Sequence, residues 1–155
     1  MLKEITVKKT NNPQDGYTDK DKLYQEVEQH REDVAKCMYM LANHLCEIGE
    51  KHDWTKIEYF DDFAKDTLER LTTPEFKKRD WYNIHCNKER HHLNSKIPTD
   101  VDLFDVLESI CDCIIAGKTR SGEVNPFFQI LKKRILEKAY WNTVDKISEN
   151  IKVEE

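Results

Sequence analysis

Glycine and proline are scarce in this chain, four of each among 155 residues. Such a composition disfavours a sheet joined by many tight turns and favours long, surface-charged helices. No apolar run is long enough to span a membrane, and no signal peptide is expected. An excess of basic charge is also missing. Lys and Arg number 25 against 30 Asp and Glu, for a net charge of −5, which argues against a general nucleic-acid binder. Cysteine is present without paired spacing. Five is an odd number, and Cys111 and Cys113, two apart on a helix, point to different faces. All five are expected to be reduced thiols in a cytoplasmic protein.

What is present is charge, 35% of residues, interleaved with helix-period apolar positions. The length suits one compact domain that buries a core without disulfide staples. Residues 1–17 read as a strand-like arm followed by a turn, mobile or laid on the surface. Residues 18–155 read as one all-α domain of five helices, near 19–48, 55–71, 74–91, 100–116 and 124–150. The first begins at a Thr18/Asp21 capping pattern, with a stripe of Leu23, Val27, Val34, Met38, Leu41, Leu45 and Ile48, and Gly49 as its stop. Thr55 with Glu58 caps the second, whose apolar face is Ile57, Phe60, Ala64, Leu68 and Leu71. Thr73-Pro74-Glu75 opens the third, which carries Phe76, Trp81, Ile84 and His85. Thr99 with Asp102 caps the fourth, bearing Phe104, Leu107, Cys111, Ile114 and Ile115 and stopping at Gly117. The last helix follows a turn at Ser121-Gly122 and Pro126 and buries Phe127, Leu131, Ile135, Ala139 and Ile147.

The chemistry sits where polar residues interrupt this scheme. His52 and Asp53 lie in an elbow between two helices. His91 and His92 end the third helix, and Glu108 and Asp112, four apart, share a face of the fourth. Imidazoles with carboxylates suit a divalent transition metal: manganese, iron, zinc, nickel or cobalt, as one or two ions. An ion so held acidifies water and polarises a phosphoryl oxygen. Each residue also has a plainer reading. Asp53 fits a helix N-cap, His91-His92 a solvated helix C-terminus, His85 a core histidine beside Trp81, and Glu108 and Asp112 surface acids. Their order along one chain favours the cluster. The expectation is that His52, Asp53, Asp112 and at least one of His85, His91 and His92 share a metal.

The run His30 and Val34, His52-Asp53-Trp54-Thr55-Lys56, His85-Cys86-Asn87, His91-His92, Leu103 to Glu108, Cys111-Asp112 and Asn142-Thr143 covers roughly residues 24–145. It resembles a family of small, mostly phage-encoded proteins with HD-like motifs, and more distantly the HD and HD-GYP phosphohydrolases. The resemblance implies an HD-like helical bundle in the host cytoplasm. It implies His52, Asp53 and Asp112 as metal ligands, His30 as the first ligand, and some of His85, His91 and His92 for a second ion. The chain departs from the family pattern at Leu93, where Pro is usual after the double His, and at Cys113, where Trp is frequent. His30 also meets a physical objection. On a continuous first helix it stands more than about 25 Å from His52. Sharing an ion then requires a break, for which Asn43 is the one hint; otherwise His30 serves another site or a dimer partner. His44 is a closer substitute.

The functional expectation is a metal-dependent phosphohydrolase acting on a nucleotide or cyclic nucleotide. Asp53 would bind metal and orient water, and Lys56 would hold a phosphate oxygen, helped by Lys88, Arg90 and Arg120. The alternatives are a phage protein that captures a phosphorylated host signal without turnover, and a non-catalytic protein that binds a host protein. Expected partners are a small phosphorylated ligand, no membrane and no general nucleic acid, with a homodimer compatible.

Overall fold

The computed structural model describes residues 1–10, 16, 19–69, 80–93, 97–123 and 133–154. Among the described residues the chain is all-α apart from one small sheet. The elements in order are β1 (Ile5–Lys8), α1 (Lys20–Glu50), α2 (Trp54–Glu58), α3 (Phe60–Glu69), α4 (Asp80–Lys88), α5 (Leu103–Ser121), α6 (Lys133–Ser148) and β2 (Ile151–Glu154). The expected caps at Thr18 and Thr73-Pro74-Glu75, and the expected core residues Leu71, Phe76, Phe127 and Leu131, lie outside the described residues. Among the described helices, none is long and apolar enough to cross a membrane. All five cysteines are free.

The chain divides into two compact units, Met1–Glu47 with Val144–Glu155, and Ile48–Thr143. In the first unit the N-terminal arm is pinned rather than loose. β1 pairs with β2 in parallel, Ile5 opposite Ile151 and Lys8 opposite Glu154. The chain end thus supplies a strand that helical periodicity does not announce. Alternating β-branched residues suit a pleated ribbon, Lys152 pairs with Glu4 at 2.7 Å, and Leu2 and Met40 are buried. A cavity of about 330 Å³ opens between this arm and α1, lined by Met1, Ile5, Tyr39, Met40, Asn43 and His44 among others. The expected α1 stripe is only partly covered, with Leu23, Val27, Val34 and Met38 exposed. The sheet meets α1 on another face, where Lys8 N donates to Asp33 Oδ2 at 3.4 Å.

The second unit has its core around Leu93, Val101, Val106, Ile135 and Ala139. α6 fastens the start of α5 to this core. Asn142 Nδ2 donates to Val101 O at 2.7 Å, and Thr143 Oγ1 accepts from Leu103 N at 2.8 Å. The cap of α5 is Asp102 with Asp105, a complete capping box one turn past Thr99, and its stop is Gly122 in the left-handed region rather than Gly117. Val101 has no exposed surface. Val101→Ala is expected to cost roughly 1–3 kcal/mol from lost burial and the cavity left behind, measurable by urea denaturation.

The second predicted helix is two helices. The chain breaks at Tyr59, whose backbone leaves helical geometry at φ −108, ψ 38. With that break the expected face fails: Ile57, Phe60 and Leu68 are exposed, and Thr55 and Asp66 are buried instead. Trp81 Nε1 donates to Asp66 Oδ2 at 2.5 Å, giving that buried carboxylate a partner, and Phe63 packs edge-on against Trp81 at 5.3 Å.

Candidate metal centre

Gly49 does not stop α1, which runs to Glu50 and releases the chain into a tight elbow. There Lys51 N donates to Ile48 O and His52 N to Gly49 O. Asp53 then adopts φ 58, the one positive φ of a non-glycine residue among those described. Left-handed backbone costs an L-residue about 1–2 kcal/mol, less for Asp, and gathers at functional sites. Asp53 occupies the N-cap position of α2, yet its side chain makes no cap hydrogen bond. The plain capping role is therefore not the one its carboxylate performs.

That carboxylate faces histidines from two directions. Asp53 Oδ1 lies 3.6 Å from His85 Nε2 and 3.7 Å from His91 Nε2. Asp53 Oδ2 lies 3.5 Å from His52 Nε2 and pairs with Lys56. His92 Nε2 meets His85 Nε2 at 2.6 Å. Asp53, His85, His91 and His92 each offer an atom within 4.8 Å of all the others, which is ligand spacing for one ion. A second such group, His52, His91 and Glu108, shares His91.

Burial sharpens the case. Asp53 Oδ1 and His91 Nε2 are buried without a hydrogen-bond partner. Each orphan of this kind costs about 1–3 kcal/mol. Separations of 3.6–3.7 Å are too long for hydrogen bonds, but close to the spacing of two atoms bonded to one ion at about 2.0–2.2 Å. The residues present fit a divalent ion. A set of three imidazoles and one carboxylate favours a transition metal over magnesium or calcium.

Electrostatics separates the rings. Burial pushes His85 down to about 4, with Lys56 adding to it, and burial with His91 and His85 pushes His92 down to about 4. Both are neutral near pH 7, the state a metal requires. His52 goes the other way. Asp112 and Glu108 raise it to about 10, so without an ion it is an imidazolium among carboxylates. Glu108 Oε1 accepts from His52 Nδ1 at 2.9 Å and lies 3.0 Å from His91 Nδ1. Burial would raise Glu108, but the contacts with His52 and His91 outweigh it and pull it to about 2.

Of the expected set, Asp53, His85, His91 and His92 fall in one ligand group, whereas His52 belongs to the other and Asp112 to neither. Asp112 stands 3.6 Å from His52 Nε2, so Asp53 and Asp112 approach the same nitrogen. His30 joins neither ligand group: it is exposed on α1, which is unbroken at Asn43. His44 is also outside both ligand groups. Arg90 is not a free phosphate holder. Its guanidinium grips Asp105 at 2.7 and 2.8 Å and Asp100 at 3.1 Å. Arg120 is exposed in the last turn of α5, eight residues or about 12 Å of helix past Asp112. Lys88 Nζ sits 5.0 Å above the Trp54 ring and 5.7 Å from that of Tyr59.

No family model, curated protein or solved structure matches this chain. The site therefore stands on its own geometry.

Two contributors escaped the sequence reading, and a third was read without its partners. Thr55 reads as a cap but is buried, with its hydroxyl on His85 and Glu89. Glu89 is buried and carries no motif. Glu108, which shares a helix face with Asp112 as a candidate carboxylate and reads otherwise as a surface acid, is the hub between His52 and His91. A signal existed for Glu108. Asp105, Glu108 and Asp112 form a polar stripe on the covered side of α5, while Leu107, Cys111, Ile114 and Ile115 are exposed. Hydropathy periodicity placed Phe104 inward correctly but misassigned the rest of the stripe, because the covered side of α5 beyond it carries Asp105, Glu108 and Asp112.

Proposed function

We propose that the protein is a metal-dependent phosphohydrolase acting on a nucleotide or cyclic nucleotide, as the HD-like resemblance implies, with an ion held by Asp53, His85, His91 and His92. The observation that carries this reading is the pair of buried, unpartnered atoms, Asp53 Oδ1 and His91 Nε2, facing a neutral His85. When bound, such an ion supplies Lewis acidity and a water acidified toward neutral pH. Asp53 also binds Lys56 through its other oxygen, which places a cation beside the site for a phosphate oxygen. Trp54, half-exposed beneath Lys88, offers a π-face for a base together with a second cation. His52 with Asp112 and Glu108 supplies a charged network on the other side of Asp53.

The test uses protein purified without chelator or His-tag. Elemental analysis is expected to find a transition metal. Assayed against a nucleotide panel, phosphate release is expected to stop with chelator and return with added Mn²⁺, Zn²⁺ or Co²⁺. Lys56→Ala is expected to raise KM about tenfold with little change in kcat. Metal-loaded protein that binds a nucleotide tightly and leaves it intact for hours replaces hydrolysis with capture. Protein that takes up no metal overturns both.

A further inference from the structure

His85 is almost wholly buried and, among the described residues, is the ring most completely enclosed by protein groups (1% exposed). Its Nδ1 lies 2.6 Å from Thr55 Oγ1. Thr55 has no exposed surface at all, and its hydroxyl donates to Glu89 Oε1 at 2.7 Å. The same oxygen accepts from Thr55 N at 2.9 Å. Glu89 thereby takes the first-turn N–H of α2, the kind of contact the Asp53 carboxylate leaves unmade, and Asp53 remains free to face the imidazoles.

The hydroxyl has one proton, and a carboxylate accepts only. With that proton directed at Glu89, Thr55 Oγ1 is left to accept from His85, so His85 carries its proton on Nδ1. Its Nε2 is then bare and aimed at the cluster: 3.6 Å from Asp53 Oδ1 and 2.6 Å from His92 Nε2. In the opposite tautomer the hydroxyl would have to donate to Nδ1. The 2.7 Å contact of Thr55 Oγ1 with Glu89 would then hold no proton.

We infer that Thr55 and Glu89 are positioning residues of the metal centre, holding His85 as the Nδ1–H tautomer with its Nε2 lone pair on the ion. The inference rests on the metal reading above and adds to it the buried pair that presets one ligand before any ion arrives. Outer partners of this kind typically contribute 10–100-fold in metal affinity.

Two readouts test it. In metal-free wild-type protein, long-range ¹H–¹⁵N NMR of the histidine rings is expected to show His85 protonated at Nδ1 and bare at Nε2. In Thr55→Val, which keeps the volume and leaves the backbone contact with Glu89 in place, the proton is expected to move to Nε2. Zn²⁺ affinity by competition titration is expected to fall 10–100-fold. Thr55→Ser restores both. Glu89→Gln keeps an acceptor for Thr55 N, and its affinity loss is expected to be smaller than that of Thr55→Val. A wild-type His85 protonated at Nε2 overturns the inference even if no variant folds. Equal Zn²⁺ affinity in wild type and a folded Thr55→Val overturns it as well. A wild-type chain that binds no ion, with His85 still Nδ1-protonated, instead sinks the metal reading on which the inference rests.

Discussion

Asp53→Asn is expected to abolish metal retention and lower any phosphohydrolase activity by at least about a hundredfold, while the fold survives. Asp53 faces four side chains of the site: His85 and His91 through Oδ1, His52 and Lys56 through Oδ2. Asn keeps the shape and tolerates the left-handed backbone at φ 58. Alanine at this position would add strain to the loss of a ligand, so Asn is the cleaner probe. Only the anionic oxygen is removed, and with it the charge that draws a divalent ion toward the neutral rings of His85 and His92. Glu154→Ala, on exposed β2, serves as control and is expected to leave metal content unchanged. Elemental analysis of both variants, with circular dichroism for the fold, decides the matter. An Asp53→Asn protein that keeps a full complement of metal would show that the ion is held elsewhere.

Arg90→Ala is expected to destabilise the second unit strongly. Arg90 donates from Nε and Nη2 to both oxygens of Asp105, which is buried at the N-terminus of α5. Burial raises the Asp105 carboxyl even with Arg90 beside it. Removing Arg90 strands a buried carboxylate, which costs about 3–5 kcal/mol in a fully buried pair. The side chain of Arg90 is itself 39% exposed, and water reaching it brings the expected loss down to about 2–4 kcal/mol. That corresponds to a fall in Tm of about 5–15 °C for a chain of this size. The deficit should shrink at acid pH. Asp105 has a raised folded-state pKa, so the folded state binds its proton first, and protonation neutralises the stranded group. Arg90→Lys should recover only part of the loss, because one ammonium cannot match the two-point grip. A Tm unchanged in Arg90→Ala, with KM raised for a nucleotide, would return Arg90 to the phosphate-binding role expected from sequence.

Local chemistry in the sequence determined a good deal. Low glycine and proline with helix-period hydrophobicity announced an all-α chain, because those preferences act within one or two turns. The candidate residues His52, Asp53, His91 and His92 were legible because imidazoles and carboxylates sat at helix ends and joints where the pattern favoured apolar or capping groups, and His85 and Asp112 as polar residues within helices. Tertiary structure decided the rest. Thr55, Glu89 and Glu108 join the site through partners 30 to 56 residues away, and no local pattern encodes such a pairing. β2 was missed because a four-residue strand means nothing until β1 lies beside it. The covered faces of α2, α3 and α5 differ from their hydropathy because buried polar partners reward the inward placement of Thr55, Asp66, Asp105, Glu108 and Asp112. His30 fell away for the opposite reason. A continuous helix converts sequence separation into distance at a constant rise per residue, and nothing in α1 interrupts it.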